Sequence, residues 1–394
     1  MHCETGLRPR TQRPELAQIL AAYAPELGGL SLDQSRVVRA LGACRSAALG
    51  GHLQRCDRCG REQPVYNSCR NRHCPKCQSL QQALWVEAQT EDLLPVPYFH
   101  LVFTVPHLLS PLFLSRPQLA YALLFEASAA TLSDVCRRRL GATPAITAVL
   151  HTWTQLLLYH PHIHCIASGG GLSTDGTWIS SRPNFFVPVR VLAEVFRGKL
   201  LEALEHNLAR GRLGIPEAAA RTLLRRAAAQ GFIVYSKPPF AGPEQVLRYL
   251  GRYTRRIAIS NERLRAHQQG SVTFSYRDRK HGGRSKPMRL AGTEFTRRFL
   301  CHVVPRRFVR VRHYGLLANG VKKRRLALAR TRLDAPAPPC PSPRKHETWQ
   351  DTYRRLVGKD PRQCPACRSG RLVIVAEIPP TPAPATNTAS SRSP

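Results

Sequence analysis

The sequence predicts an α+β protein in which an N-terminal helical and metal-binding module precedes a larger domain of helices and strands. Two patterns predict this class. Cysteines concentrate in residues 52–78, where aliphatic side chains are few, which is typical of a small module held by metal rather than by an apolar core. From about residue 95 to 330, short apolar runs typical of strands are scattered among helical patterns, as in α+β domains.

The N-terminal part begins with a helical pattern. Apolar residues recur three and four apart over residues 15–50, which predicts a small helical lead-in before the cysteines. A helix, SLQQALWVEAQTEDLL, follows the cysteines, and the apolar run FHLVFTV after it predicts one buried strand. Helical sequence then continues to about Arg139.

The middle of the chain alternates between strand and helix patterns. Strands are predicted over 156–167, 232–236 and 272–278, the first running into Gly169, Gly170 and Gly171, and helices are predicted over 190–209 and 215–229. A further helix is predicted from Pro243 to about Ile257, because proline is favoured at the first helical position and Glu244 suits the first turn.

Composition divides the chain into three predicted parts. Residues 1–90 form the helical lead-in and zinc-binding domain, and residues 91–330 form the main domain. Residues 331–394 form a Pro-rich linker and a largely disordered tail. Cys364 and Cys367 lie in this tail as one Cys-x-x-Cys pair. Because the pair lacks a full set of four ligands, the sequence does not decide whether it binds zinc.

Charge predicts the partner. The chain has 59 Lys and Arg against 25 Asp and Glu, a net charge of +34. Such an excess attracts polyanions, so DNA or RNA is the expected partner class. The start of the sequence shows no apolar signal region, and prolines interrupt the uncharged residues 93–115, so we expect a cytoplasmic protein, nucleoid-associated when bound to DNA, with no membrane partner.

The cysteine spacing predicts a structural zinc site. Two Cys-x-x-Cys pairs about fifteen residues apart match a closed tetrahedral shell, and small buried hydrophobic cysteines are the alternative. The predicted ligands are Cys56, Cys59, Cys74 and Cys77, with Cys69 and His73 as substitutes or members of a second site. Arg70 and Arg72 lie between the ligands, so the metal is expected to hold a basic loop against DNA.

A second metal site is indicated by His160, His162 and His164. Alternate residues of a strand share a face, so these three imidazoles point one way, while Ile163 and Cys165 point into the core. A lone histidine is more often a core residue, but several converging on one strand face favour a metal site. One face cannot enclose an ion, so open coordination positions remain for substrate.

The third element is the predicted helix PEQVLRYLGRYTRRIAIS. Tyr249 and Tyr253 are four residues apart and share one helical face with Gln245. Arginines flank them at positions Arg248, Arg252, Arg255 and Arg256. Packing of both aromatics in a core is one interpretation. The other is that a tyrosine attacks a DNA phosphodiester whose charge is neutralised by a metal and clamped by the arginines.

Together these residues resemble the two-tyrosine HUH transposases of the insertion-sequence ninety-one type, which move by a rolling-circle-like mechanism. The resemblance runs in order from about residue 15 to 330, through ALGGHLQRC, YNSCRNRHCPKCQ, YFHLVFTVPH, HPHIHCIASGGGL, YSKPPFAGPEQVLRYLGRYTRRIAISN and RFVRVRHYGLLAN.

The resemblance implies a fold and a site. Relatives have a central antiparallel sheet flanked by helices, with the histidines on a central strand and the tyrosine helix beneath. His162 and His164 are then ligands of Mg²⁺ or Mn²⁺, and Tyr249 and Tyr253 are paired nucleophiles. The third ligand is open among Gln245, the first choice because it shares the tyrosine face, and Glu244 and His160.

The implied function is a transposase that binds, nicks and rejoins single-stranded or melted DNA at the ends of its own element through 5′-phosphotyrosine intermediates, with host replication machinery as a further partner. One alternative is a plasmid replication initiator or relaxase with the same chemistry. The other, from a different class, is a zinc-dependent DNA-binding protein that does not cleave.

Overall fold

The computed structural model describes residues 13–237, 245, 251, 258–278, 281–336 and 347–381. The N-terminal elements are α1 (Leu16–Tyr23), α2 (Leu32–Ala43), β1 (Gly51–Cys56), β2 (Glu62–Tyr66) and α3 (Gln78–Thr90). They are followed by β3 (Tyr98–Thr104), α4 (Ser110–Ser115), α5 (Pro117–Leu140), β4 (Thr143–Trp153), β5 (Tyr159–Leu172), β6 (Trp178–Ser180), α6 (Val189–Ala209), α7 (Glu217–Ala228) and β7 (Ile233–Lys237).

The remaining elements are β8 (Leu264–Gln268), β9 (Ser271–Asp278), β10 (Arg284–Ala291), α8 (Gly292–Leu300), β11 (Val311–Gly315), α9 (Lys322–Arg332), α10 (Trp349–Val357) and β12 (Leu372–Ile378). Helices and antiparallel strands are mixed along the chain, so the predicted α+β class is confirmed.

The largest sheet carries the histidine strand at its centre. Within the described residues it has six antiparallel strands in the order β11-β4-β5-β3-β7, with β6 paired to the end of β5. One face packs on α5, α6 and α7 through large side chains such as Phe125 and Phe196. The opposite face packs on α9 through Leu326 and on α3 through Trp85. Because both faces are covered, β4 and β5 are buried along most of their length.

A second sheet joins the N-terminal helices to the later part of the chain. Strands β8, β9 and β10 form this sheet, which shares a core with α1, α2 and α8. Leu20 of α1, Phe274 of β9 and Phe295 of α8 are fully buried in it. The sequence-based boundary at residue 90 therefore does not separate two cores, because residues on both sides of it pack together.

A third sheet brings the C-terminal tail back to the N-terminal module. β12 pairs with β1 along its whole length, and β1 pairs with β2. Arg355 of α10 also forms an ion pair with Glu87 of α3. Residues 347–381 are therefore folded onto the first module, whereas composition predicts a largely disordered tail after residue 331. The contacts that order them come from residues some three hundred positions away, and local composition does not report such contacts.

One described helix, α5, is long and apolar enough to cross a membrane by length and composition alone. In the structure 67% of its most apolar 18-residue stretch is buried inside the protein. It packs on α6, β4 and β5, so its apolar surface is used by the central core.

The glycine run Gly169–Gly171 allows the sheet to close around the histidine strand. A Cβ at Gly171 would overlap the carbonyl oxygen of Thr143 on β4, and one at Gly169 would lie 2.9 Å from the carbonyl oxygen of Pro97. Backbones from both sides therefore approach β5 closely, which requires residues without side chains.

We expect Gly171→Ala to lower the free energy of unfolding by about 1–3 kcal/mol, because β4 must move away from the added methyl group. Chemical denaturation measures this change. Gly198→Ala is the matched control, since no described atom lies within 4 Å of its added Cβ and the position is inside α6. It should be neutral or stabilise by up to about 1 kcal/mol. Equal losses from the two variants would contradict the packing argument.

Candidate metal sites

Three histidines converge where β4 and β5 pair. His151 of β4 lies directly opposite His162 of β5, and His164 follows two residues later on the same face of that strand. The rings of His151 and His164 have centroids 4.5 Å apart, and those of His162 and His164 are 4.8 Å apart. One nitrogen from each of the three rings lies within 4.8 Å of the others. Nitrogens that share one ion at about 2.1 Å are separated by about 3–4 Å, so the rings need at most a small inward movement to bind one ion together.

The alternation of β5 supports this placement. Ile163 and Cys165 are fully buried in the core under α5 and α6, as the strand pattern predicts. Neighbours of the histidines on their own face, Val149 and Ile166, belong instead to the apolar cluster that contains Trp85 of α3. The histidines therefore share a sheet face with α3 and α9.

His162 is oriented for metal binding by its own strand. Its Nδ1 lies 2.6 Å from the carbonyl oxygen of His160. A carbonyl oxygen only accepts, so Nδ1 carries the proton, and the lone pair of the neutral ring is on Nε2. This is the tautomer in which Nε2 can bind a divalent ion.

His164 has a buried histidine as its neighbour. The Nε2 atom of His100, on β3, lies 2.8 Å from Nδ1 of His164, and the two rings stack with centroids 5.0 Å apart. When His164 donates through Nδ1, its lone pair is on Nε2, as in His162. His100 is thus placed to set the tautomer of His164, the arrangement that orients metal-binding histidines in proteins.

The third histidine of the group is one that the sequence analysis missed. His151 belongs to β4, a strand for which no prediction was made, and its partnership with His162 depends on pairing between strands. Its segment, AITAVLHTW, carries the β-branched residues that could have indicated a strand. His160 shares the face of His162 but lies outside the group of three. Gln245 is helical and exposed, and Glu244 lies outside the described residues.

Both tyrosines and the four arginines of the predicted helix also lie outside the described residues: Tyr249, Tyr253, Arg248, Arg252, Arg255 and Arg256. Gly251, between the tyrosines, is described as helical and buried. A Cβ added to Gly251 would overlap a methyl group of Val86 on α3. The chain at Gly251 is therefore in close contact with α3, on which Trp85 reaches the face that carries the histidines.

The structure divides the four predicted zinc ligands between two clusters. Cys74 and Cys77 lie with Cys44 and Cys69, whereas Cys56 and Cys59 lie with two cysteines of the tail, Cys364 and Cys367. A single site made of Cys56, Cys59, Cys74 and Cys77 is therefore wrong as a geometric grouping. Spacing along the chain identifies Cys-x-x-Cys pairs, but tertiary packing decides which pairs meet.

The first cluster is built into the core under the N-terminal helices. Cys44 caps the end of α2, and Cys77 precedes the first residue of α3. The sulfur of Cys77 lies 3.4 Å from that of Cys44 and 3.7 Å from that of Cys69. Burial raises the pKa of the Cys44 thiol to about 11, so a cation is required to hold it as a thiolate at neutral pH.

His73 is not part of either cysteine cluster. It is buried, its Nδ1 lies 3.1 Å from the side-chain oxygen of Asn71, and its Nε2 accepts a hydrogen bond from the backbone N–H of Val304. Burial and the nearby charges of Arg310 and Arg72 hold the pKa of His73 well below its usual value. The neutral ring fastens the cysteine loop to the segment after α8.

The two loop arginines have different environments. Arg70 is exposed. Arg72 is half-buried, and its guanidinium donates a hydrogen bond to the carbonyl oxygen of Phe308 at 2.5 Å. Arg72 thus makes an internal contact that the predicted DNA-contact role does not explain, while Arg70 remains accessible to a nucleic acid.

The fold and the cysteine clusters describe a zinc-binding module joined to an α+β domain, and comparison with known proteins identifies the class as transposases. Residues 15–105 match the family described as "Transposase zinc-binding domain", and residues 145–325 match the one described as "Putative transposase".

Two relatives extend this likeness over nearly the whole chain. The "Putative transposase y4qJ" of Sinorhizobium fredii (strain NBRC 101917 / NGR234) is 45% identical over 377 residues, which is 92% of this chain and 95% of the relative. The "Transposase for insertion sequence element IS801" of Pseudomonas savastanoi pv. phaseolicola is 28% identical over 370 residues, 91% of this chain and 87% of the relative. No solved structure matches the chain.

The protein belongs to the family of transposases of the insertion-sequence ninety-one type and carries that family's zinc-binding domain. The predicted family is confirmed. As a transposase it acts on DNA, which agrees with the net charge of +34. The cysteine clusters and the matched domain both indicate structural zinc.

Proposed function

We propose that this transposase nicks and rejoins single-stranded DNA at the ends of its own insertion sequence through 5′-phosphotyrosine intermediates on Tyr249 and Tyr253. The observation that carries the proposal is the convergence of His151, His162 and His164 on one sheet face, with ring nitrogens within 4.8 Å of one another. An open three-histidine site is suited to a divalent ion that also contacts substrate.

The histidine side chains fit such an ion chemically. The hydrogen bond from Nδ1 of His162 selects the tautomer with its lone pair on Nε2, and His100 is placed to do the same for His164. Bound Mg²⁺ or Mn²⁺ would supply charge that neutralises the non-bridging oxygens of the scissile phosphate. Imidazole ligands favour Mn²⁺, whereas cellular abundance favours Mg²⁺.

The tyrosines supply the nucleophiles in this proposal. A phenolic oxygen bonds to phosphorus and loses its proton, and the 3′-oxygen of the preceding nucleotide leaves and takes up a proton. The phosphotyrosine preserves the energy of the broken bond, so a later 3′-hydroxyl can displace the tyrosine and rejoin the strand. Two tyrosines permit two successive transfers, and flanking arginines balance the phosphate charge.

Packing supports a position for the tyrosines near the histidines. Gly251, two residues from each tyrosine, contacts Val86 of α3. The preceding residue of α3, Trp85, packs into the apolar cluster that contains Val149 and Ile166. These two residues are sheet-face neighbours of His151 and His164.

The substrate in this proposal is single-stranded or melted DNA in the cytoplasm, with host replication machinery as a further partner. We propose that exposed Arg70 and the arginines of the predicted helix, Arg248, Arg252, Arg255 and Arg256, contact its phosphates. Arg72 is left out of this group because it bonds to Phe308.

The nucleophiles are tested by incubating the protein and Mn²⁺ with labelled oligonucleotides that tile the element ends. We expect a covalent adduct on a denaturing gel that persists in Tyr249→Phe and in Tyr253→Phe but disappears in the double variant, since either phenol can attack. Tight binding without an adduct under any divalent metal would refute cleavage and favour a DNA-binding protein that does not cut. Preferential nicking of a plasmid origin would favour a replication initiator or relaxase.

The third metal ligand is tested by the Mn²⁺ concentration that gives half-maximal adduct. His151→Ala should raise this concentration at least tenfold, because one of three imidazole ligands is lost. Two variants serve as controls. His160→Ala changes a histidine on the same strand face as His162, and Gln245→Ala changes a residue of the predicted tyrosine helix. Both should leave the half-maximal Mn²⁺ concentration within about twofold of the wild-type value. A tenfold shift in either control, with none in His151→Ala, would reassign the third ligand.

The contact between Gly251 and Val86 is tested by a double-mutant cycle. Gly251→Ala should lower the rate of adduct formation at least tenfold, because the added methyl group pushes the tyrosine segment away from α3. Val86→Ala removes the opposing methyl groups, so the double variant should recover much of the rate. Gly231→Ala, with no described atom within 4 Å of its added Cβ, should match the wild type. Failure of Val86→Ala to rescue would show that this contact does not position the tyrosines.

A further inference from the structure

We infer that the chain holds two structural zinc ions, and that the second, on Cys56, Cys59, Cys364 and Cys367, fastens the C-terminal tail to the first β-hairpin. The matched zinc-binding domain ends at residue 105, so it contains two of these four cysteines and neither cysteine of the tail. The inference concerns the architecture of the protein and does not depend on the proposed nuclease chemistry.

The sulfur geometry is that of a closed tetrahedral site. The sulfur atoms of Cys56 and Cys367 are 3.7 Å apart, and those of Cys59 and Cys364 are also 3.7 Å apart. Four thiolates at about 2.3 Å from one zinc ion are separated by about 3.8 Å along each edge of the tetrahedron. A disulfide needs about 2.05 Å between sulfurs, so these distances match metal coordination and not two disulfide bonds.

Backbone groups around the cluster are arranged to support thiolates. The N–H groups of Arg58 and Cys59 point at the sulfur of Cys56 from 3.5 Å, and the N–H of Gly370 points at the sulfur of Cys367 from 3.3 Å. Each Cys-x-x-Cys turn thus directs backbone N–H groups at one of its own two sulfurs, that of Cys56 in the first turn and that of Cys367 in the second. Hydrogen bonds of this kind favour the charged form of the ligand, which is the form that binds zinc.

Gly370 shows how closely the two turns approach each other. A Cβ at this position would overlap the sulfur of Cys56 and would lie 2.8 Å from the Cβ of Arg58. Arg371, the next residue, donates its N–H to the carboxylate of Asp57 at 2.7 Å, and its carbonyl accepts from the N–H of Asp57 at 3.0 Å. The two turns are therefore joined by backbone contacts as well as by their cysteines.

The buried apolar surface around these four cysteines is too small to hold the two turns together by itself. The core at this point contains Cys56, Cys364 and Leu372, with Cys367 packed against it. On β12, which continues from the cluster, Val373, Ile374 and Val375 are each more than 40% exposed. A region with so little buried apolar surface needs a metal to stay folded, as small zinc modules do.

The site has a mechanical consequence for α3. The strand pairing of β12 with β1 begins at Leu372 opposite Cys56, immediately beside the cluster. Earlier in the tail, Arg355 bonds to Glu347 and to Glu87, which is next to Val86 on α3. A zinc ion here therefore holds a segment that also braces the helix contacted by Gly251.

The decisive experiment counts zinc in the purified full chain by mass spectrometry of the metal, against protein measured by amino-acid analysis. We expect two zinc ions per wild-type chain and one in the Cys364→Ser/Cys367→Ser variant. Cys301→Ser, which changes a cysteine outside both clusters, should keep two. One ion in the wild type, or two in the Cys364→Ser/Cys367→Ser variant, would overturn the inference.

A second measurement distinguishes local loss of this zinc site from general unfolding of the chain. Hydrogen exchange of the β12 amides should become at least tenfold faster in Cys364→Ser/Cys367→Ser, while the amides of β9 keep their wild-type rates. Gly370→Ala leaves all four cysteines in place but crowds the sulfur of Cys56, so it should also lower the zinc count below that of the wild type. Unchanged exchange of β12 in the cysteine variant would show that zinc does not fasten the tail. A chain that holds two zinc ions but forms no DNA adduct would uphold this inference and refute the nuclease.

Discussion

The antiparallel pairing of β4 and β5 is the constraint on which the histidine site depends. Residues directly opposite in such a pair have Cβ atoms about 5 Å apart, and this register places His151 beside His162. A slip of one residue would turn His151 into the core under α5 and α6. Both faces of the two strands are buried, so such a slip would place polar histidines in the apolar core and change the packing on both faces, and the register is strongly specified.

Helix α3 connects the parts of the molecule that the proposed chemistry requires. Three consecutive residues of it contact three different partners: Trp85 the apolar cluster on the histidine face, Val86 the backbone at Gly251, and Glu87 the tail residue Arg355. Successive residues of a helix point about 100° apart, so one turn can join three surfaces. The helix begins directly after Cys77, so its first residue is adjacent to the first cysteine cluster.

Whether a feature could be predicted from the sequence depends on how far apart along the chain the interacting residues lie. Helices α6 and α7 and strands β7 and β9 were predicted within a few residues, since their periodicity is local. The proximity of His162 and His164 was predictable because they lie on one strand, while their role as metal ligands stays a prediction. His151, Cys44 and the partnership of Cys364 with Cys59 were missed, because each depends on segments that are distant in sequence. The assignments of Tyr249 and Tyr253 stay predictions, since both lie outside the described residues.

The sheet that joins β12 to β1 has a consequence for how the protein is made. Cys56 and Cys367 are 311 residues apart, so the first hairpin emerges from the ribosome long before its partner strand is translated. At about 5–20 residues per second this delay is roughly 15–60 s. During that interval the edge of β1 that β12 later covers exposes unpaired backbone groups, which can pair with other chains. Each molecule thus completes its N-terminal module only after synthesis has passed Ile378, and a copy terminated before Cys364 would lack one strand of that module and two of its thiols.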